Sequence, residues 1–258
     1  MSTTPAPARG AAARRSTLRV LSWNICELRG DLPALIGAIR DIDPDVLLVQ
    51  EAPRLVLPQM RLEWFARRID RRILVGGRFG RGLAILATDE VARQVVRRGM
   101  HKVSQKVTNA VSTYPRGVAA VRLSVGGGEQ LVVSDIHFAL QEDNRLAHAR
   151  HVQDLIRSAG APVVIGGDLN EKADDPARTL LGQVARDAGE VAAEPAAGPG
   201  FTFPAEKPRA RIDALYVSEG VRVLSERTVT ETASVPAERF AGASDHLPVL
   251  VEVENPGF

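Results

Sequence analysis

The chain has 258 residues, 45% hydrophobic and 25% charged, enough for one large α/β domain or two small ones and for a core without covalent staples. No apolar run approaches the length that spans a bilayer; the one cysteine, Cys26, excludes an intrachain disulfide and suits a reducing cytosol. The net charge of +2 depends on the N-terminus. Residues 1–16 hold Arg9, Arg14 and Arg15 and no acid, so the remainder carries −1 and overall charge is no sign of nucleic acid.

Residues 1–16 are small, polar and proline-containing, and read as a disordered tail rather than a signal peptide, with a single domain over 17–258. A strand from Leu18 ends at Asn24. Asp31-Leu32-Pro33 then opens a helix, with aspartate as N-cap and proline in the first turn, and Asp43-Pro44 stops it. The strand 45–51 ends on Glu51, and a helix follows to about residue 68. Residues 72–76, 82–87 and 91–98 read as strands, and the polar stretch 99–115 as a loop or a further hairpin. Gly126-Gly127-Gly128 between the runs 117–125 and 129–137 marks a hairpin. Leu146, Ala149, Val152, Leu155 and Ile156 recur at helical spacing and predict a helix over 142–158. A buried strand at 162–167 leads into Asp168-Leu169-Asn170, a short helix spans 175–187, and 189–200 is an Ala/Gly/Pro loop. Strands at 211–217, 221–230 and 247–253 complete the chain. No linker interrupts the series, which predicts two packed sheets with helices outside.

Polar groups stand at the ends of these runs or just after them: Asn24, Glu51, His137, Asp168 with Asn170, Asp213, and Asp245-His246. Sheets with parallel strands gather their sites at strand ends, where distant segments converge. Gly166-Gly167 allows a tight turn and space for a ligand, and Asp168 and Asn170, two apart, share one side of an extended chain. Such a pair orients a water and holds a phosphoryl oxygen, or else caps a helix through an Asx-turn. Asp213 lies in an apolar run, where a carboxylate needs a partner. That partner is His246, whose tautomer the carboxylate would fix, or Arg211 in a purely structural pair. Glu51 and Asn24 offer the hard oxygen donors that Mg²⁺ takes. Zinc spacing of cysteine and histidine is absent, His148 and His151 lack a third ligand, and His101 reads as exposed. The seven arginines of 61–81, against Glu63 and Asp70, read as a solvated helix face, with a polyanion-attracting face as the alternative. Among them Arg81 is either a phosphate-binding group or a plain strand-start residue.

The ordered set Trp23-Asn24, Gln50-Glu51, His137, Gly167-Asp168-Leu169-Asn170, Arg211-Ile212-Asp213 and Ser244-Asp245-His246 resembles the endonuclease/exonuclease/phosphatase superfamily over residues 18–253. Each motif alone is weak, but six in order multiply into a strong signal. The resemblance implies an α/β fold: a four-layer αββα sandwich of two mixed β-sheets flanked by helices, with a metal-dependent phosphoesterase site at one rim. By position it implies that Glu51 ligates Mg²⁺ or Mn²⁺, with Asn24 and Asp245 assisting. Asp168 would orient or deprotonate the attacking water, and Asn170 would hold a phosphoryl oxygen. His246, oriented by Asp213, would contact the phosphate or act as acid/base. His137 matches the histidine of the deoxyribonuclease branch and would bind phosphate or assist the leaving group. The expected activity is a cytoplasmic, Mg²⁺-dependent phosphodiesterase of nuclease type, with nucleic acid as first substrate and no protein partner implied. The alternatives are a phosphatase or sphingomyelinase-like phospholipase on a small or lipid phosphate, and a catalytically inactive binding module. Asp135-Ile136 departs from the threonine that many members place before the histidine, and 99–115 matches no motif of the family. Aromatics at 4% leave few platforms for base stacking.

Overall fold

A computed structural model describes residues 17–106, 115–194 and 198–254. The expected tail at 1–16, and the 107–114 part of the polar stretch, lie outside the described residues. Among the described residues, twelve strands form two six-stranded sheets. The first has the order β11-β12-β1-β2-β4-β3, comprising β1 (Thr17–Asn24), β2 (Val46–Gln50), β3 (Arg72–Val75), β4 (Leu83–Ala87), β11 (Val223–Thr228) and β12 (Val249–Glu254). The second has the order β5-β6-β7-β8-β10-β9, comprising β5 (Val95–Lys102), β6 (Gly117–Ser124), β7 (Gln130–His137), β8 (Val163–Asp168), β9 (Arg186–Asp187) and β10 (Asp213–Val217). Each sheet contains a parallel pair joined by a helical crossover. β1 and β2 are linked by α1 (Leu32–Ile42), β7 and β8 by α4 (Glu142–Ser158). Asp31 caps α1 by accepting from the Ala34 N–H at 3.0 Å.

Three apolar layers show how the sheets stack. Leu21, Trp23, Leu47 and Val49 turn outward to meet α1, α2 (Pro58–Arg68) and α7 (Ala237–Ala243). Val20, Leu48 and Ile85 face Val121, Val133 and Leu215 between the sheets. Ile136, Ile165 and Tyr216 pack against α4 and α5 (Pro176–Leu181) on the far side. The molecule is thus the four-layer αββα sandwich that the resemblance implies. Trp23 stacks on Phe240, ring centroids 5.3 Å apart, and each such fully buried side chain contributes roughly 1.5–3 kcal/mol.

Alternation along the strands also turns the polar anchors inward. Leu18 and Val20 share a face with Ser22 and Asn24; Val46 and Leu48 share theirs with Gln50. In the second sheet, Leu131 and Val133 lead to Asp135 and His137, Val164 leads to Asp168, and Leu215 and Val217 share their face with Asp213. The inter-sheet layer is therefore apolar at one end and polar at the other.

Of the element boundaries that differ from the expectation, two have an evident cause, while β5 runs on to Lys102 into the stretch read as loop or hairpin and β10 and β11 are shorter than read. The strand read at 91–98 begins at Val95, because Thr88 caps a short helix, α3 (Asp89–Arg93), through the Val91 N–H. The helix read over 175–187 stops at Leu181; Arg186–Asp187 pair with β10, and α6 (Ala188–Val191) begins the stretch read as loop. The cause is an ion network that fixes Asp187 between Arg178 and Arg211. Glycine is required in β8: a Cβ on Gly167, whose φ is +147°, would lie 1.9 Å from the Ile136 carbonyl oxygen. Gly167→Ala should therefore cost about 3 kcal/mol, read as a lower urea midpoint at unchanged slope.

Candidate active site

Strand register brings the anchors together. His137 is the register partner of Asp168, and Asp168 that of Asp213, so three polar residues stand side by side on β7, β8 and β10. The facing sheet supplies Asn24 from the end of β1, whose Nδ2 donates to Asp168 Oδ2 at 3.1 Å while its Oδ1 accepts from the Cys26 N–H. His137 Nε2 meets the same Asp168 oxygen at 3.2 Å, and His246 Nε2 lies 3.8 Å from it. Asp168 Oδ1 accepts from the Asn170 N–H at 3.0 Å, so the Asx-turn and the composite site coexist. The Asn170 side chain donates to the Phe138 carbonyl at 3.1 Å, which leaves its second amide hydrogen available.

His246 arrives on the loop between α7 and β12. Trp23 Nε1 donates to its carbonyl at 2.8 Å, Ser244 Oγ donates to the Asn24 carbonyl at 2.6 Å, and Phe203 lies 4.8 Å from its ring. Its Nδ1 is 2.9 Å from Asp213 Oδ2. Of the two partners open to Asp213, the structure takes His246: Arg211 is engaged by Asp187 and Glu226 instead.

Burial opposes a charge on His246, but Asp213, Asp168 and Asp245 together overcome it and raise its pKa to about 10. Burial raises the Asp213 carboxyl. Asp168 is equally buried, yet His137, His246 and Asn24 pull it well below the usual carboxylate range. Environments thus separate two adjacent carboxyls, a device that assigns them different duties. His137 is lowered by burial and by the charge of Arg116, against the pull of Asp168.

Glu51 follows β2 with φ +48°, and Asp245 precedes His246. Burial, with Asp245 and Glu51 acting against Arg29, raises the Cys26 thiol to about 11, so both carboxylates act on this one thiol. Neither enters an ion pair among the described residues. Asp168, Asp213 and His246 also bring donor atoms within 4.8 Å of one another, but His246 Nδ1 and Asp213 already satisfy each other there.

Arg81 donates to the Arg116 carbonyl at 3.0 Å and so ties the first sheet to the second. Arg116 itself, buried just before β6 and charged toward His137, escaped the sequence reading. A lone arginine next to an unassigned stretch gave no signal. Gln50 and Asp135 also gain a meaning: Gln50 Nε2 donates to Asp135 Oδ1 at 2.6 Å across the sheets, and burial raises the Asp135 carboxyl well above its ordinary value. His148 is buried edge-on to Phe138, and burial pushes it down to about 4.

The sequence profile described as the Endonuclease/Exonuclease/phosphatase family matches residues 21–246. The chain belongs to this family and is a metal-dependent phosphoesterase. Among solved structures, an endonuclease/exonuclease/phosphatase family protein from Bacteroides thetaiotaomicron superposes with a TM-score of 0.75 at 19% identity, covering 92% of this chain and 97% of its own. The mannosyl-6-phosphatase Bt3783 of the same organism gives 0.74 at 21%, over 92% and 99% of the two chains. Truncated Caenorhabditis elegans TDP2 gives 0.68 at 19%, over 92% and 97%. No curated protein sequence matches the chain.

The dyad sets a pH expectation. In metal-free protein the His246 imidazolium should persist to about pH 10. Because its folded pKa lies above the unfolded value of 6.5, the associated stability is complete below that pH and is lost as pH rises through about 10. Asp213→Asn should move the His246 titration to markedly lower pH, measured from the imidazole carbon-bound protons by NMR.

Proposed function

We propose that the chain is a Mg²⁺- or Mn²⁺-dependent phosphodiesterase of nuclease type. The observation that carries this reading is the convergence of Asn24, His137, Asp213 and His246 on the buried Asp168. Glu51 and Asp245, with Asn24, would hold the cation: they are hard-oxygen donors outside any ion pair among the described residues, both acting on Cys26, whose thiol stays protonated. When bound, the cation would supply charge neutralisation for the phosphate.

The protein groups divide the remaining work. Asp168, held ionised, accepts a hydrogen bond from the attacking water and fixes its direction. His246, held as imidazolium by Asp213, cannot accept the water's proton and instead donates to a phosphoryl oxygen. Of the two candidate bases, Asp168 is therefore the one that receives the proton as the new P–O bond forms. The free amide hydrogen of Asn170 holds a second phosphoryl oxygen. His137, whose Nε2 donates to Asp168, would hold that carboxylate in place beside the phosphate. Preorganised donors of this kind stabilise charge without reorganisation during the reaction. A nucleic-acid strand in the cytoplasm would supply the diester, with the partly exposed Arg81 near the site as a phosphate contact.

One observation favours a second reading, a phosphatase of small phosphate esters. A cleft of about 400 Å³ beside Asp245, lined by Cys26, Arg29, Pro204 and Glu206, has the size for one compact leaving group. Bt3783, similar in fold, is a mannosyl-6-phosphatase.

Bis-p-nitrophenyl phosphate, p-nitrophenyl phosphate, plasmid DNA, mannose 6-phosphate and sphingomyelin separate these readings when assayed with Mg²⁺ or Mn²⁺ and with EDTA. Diester and DNA turnover, abolished by EDTA, is the expected result. Turnover of the monoesters alone would replace the diesterase with the phosphatase. Asp168→Ala and His246→Ala should each lower kcat by roughly a hundred- to a thousandfold. Glu51→Gln should raise the metal concentration needed for half-maximal rate, measured by titration. An Asp168→Ala enzyme as active as wild type would place the chemistry elsewhere.

A further inference from the structure

Three consecutive apolar residues follow the Glu51 strand end and face outward: Leu55, Val56 and Leu57, exposed by 80%, 67% and 60%. Met60 in the first turn of α2 is exposed by 60%, and Phe79, in a 3-10 turn after β3, by 79%. Scattered exposed apolar side chains are ordinary, but a run of three at a loop tip, joined by two more, is not.

These side chains form one surface. The 77–79 turn lies against the start of α2 so closely that a Cβ on Gly77 would meet the Gln59 side chain at 1.9 Å. The Ala52 N–H donates to the Gly82 carbonyl at 2.9 Å, which joins the two segments at the rim that carries Glu51. Leu57 is held there in a left-handed conformation, φ +46°, as the N-cap of α2 without a side-chain bond. A branched apolar residue does not choose that conformation for itself.

The charge around the patch is net positive. Residues 52–62 and 77–82 contain Arg54, Arg61, Arg78 and Arg81 and no acid, with Glu51 and Glu63 at the borders of the first segment; Arg54 is neutralised by Glu27, which leaves Arg61, Arg78 and Arg81 as the collar. The Arg78 guanidinium lies 5.7 Å from the Phe79 ring centroid and is exposed with it. By contrast, Arg71 and Arg72 pair with Asp43 and Asp89 away from these tips, so the arginines of 61–81 do not form one helix face. Projecting aliphatic and aromatic tips with a cationic collar match the boundary between acyl chains and anionic headgroups. The tips stand out as a ridge, with a single aromatic ring, which serves neither base stacking nor a peptide held in a groove.

We propose that this ridge docks the protein on an anionic lipid surface, with the active-site rim turned toward the headgroups. The docking is independent of which phosphoester is cleaved.

Co-sedimentation of the full chain with vesicles tests it, using phosphatidylcholine alone and phosphatidylcholine mixed with phosphatidylserine. Binding to the mixed vesicles should be about tenfold tighter and should weaken with salt. Val56→Ser combined with Phe79→Ser should abolish sedimentation, and Arg78→Gln should reduce the preference for anionic vesicles, with circular dichroism and hydrolysis of a soluble diester unchanged in both. Absence of binding to either vesicle, or binding that the double variant leaves intact, would overturn the proposal. So would self-association, or binding of duplex DNA, that the double variant abolishes in place of vesicle binding.

Discussion

A carboxylate withdrawn from water has to be met by donors, and Asp168 is met from every side. It lies at the end of β8 with 2% of its surface exposed, and its two oxygens take Asn24, His137 and the Asn170 N–H. An ionised carboxylate left unpaired at such a depth would cost several kcal/mol. The donors come from β1, β7 and the turn after β8, so satisfying this one group requires both sheets to be in register and in contact. The same requirement that holds the sandwich closed at this rim holds the reacting groups in place.

The rim carries a second seam beneath the first. Gln50 and Asp135 bond across the sheets one step deeper, where Ser22 Oγ also accepts from Gln50 Nε2 at 3.1 Å. Burial raises the Asp135 carboxyl well above its ordinary value, which favours a neutral seam. Charge is thereby confined to the outer layer, where Asp168, Asp213 and His246 trade it among themselves. Backbone strain gathers in the same region: Cys26, Glu27, Leu28, Glu51, Arg81 and Asn170 all have positive φ. Conformations of that kind cost about 1–3 kcal/mol each and persist where the surroundings dictate them.

Much of this was legible beforehand because strands announce themselves by alternation and anchors by their order. Asp31 at a helix start, Gly126-Gly127-Gly128 at a hairpin and the apolar spacing of 142–158 each act over a few residues, and each formed as read. The family likeness extended the reading to the sandwich and to phosphoester chemistry. The misreadings fell where a long-range contact overrides local preference. Asp187 leaves a helical pattern because Arg178 and Arg211 draw it into an ion network with Glu226. The α3 boundary is of another kind: Thr88-Asp89-Glu90 carried a usable capping signal that the β-branched residues after it obscured.

By itself the sequence determined which chemical groups are present, their order, and the side of each strand on which they fall, since period two and period 3.6 are local properties of the chain. It left Asp213 between two partners, Arg116 unnoticed, and the arginines of 61–81 as a single face. Only the tertiary structure decided those, because register between strands far apart in sequence sets which groups touch. It chose His246 over Arg211, set Arg116 beside His137, and divided the arginines between paired positions and an apolar ridge. Distance across the fold, unlike periodicity along it, is fixed when the layers close on one another.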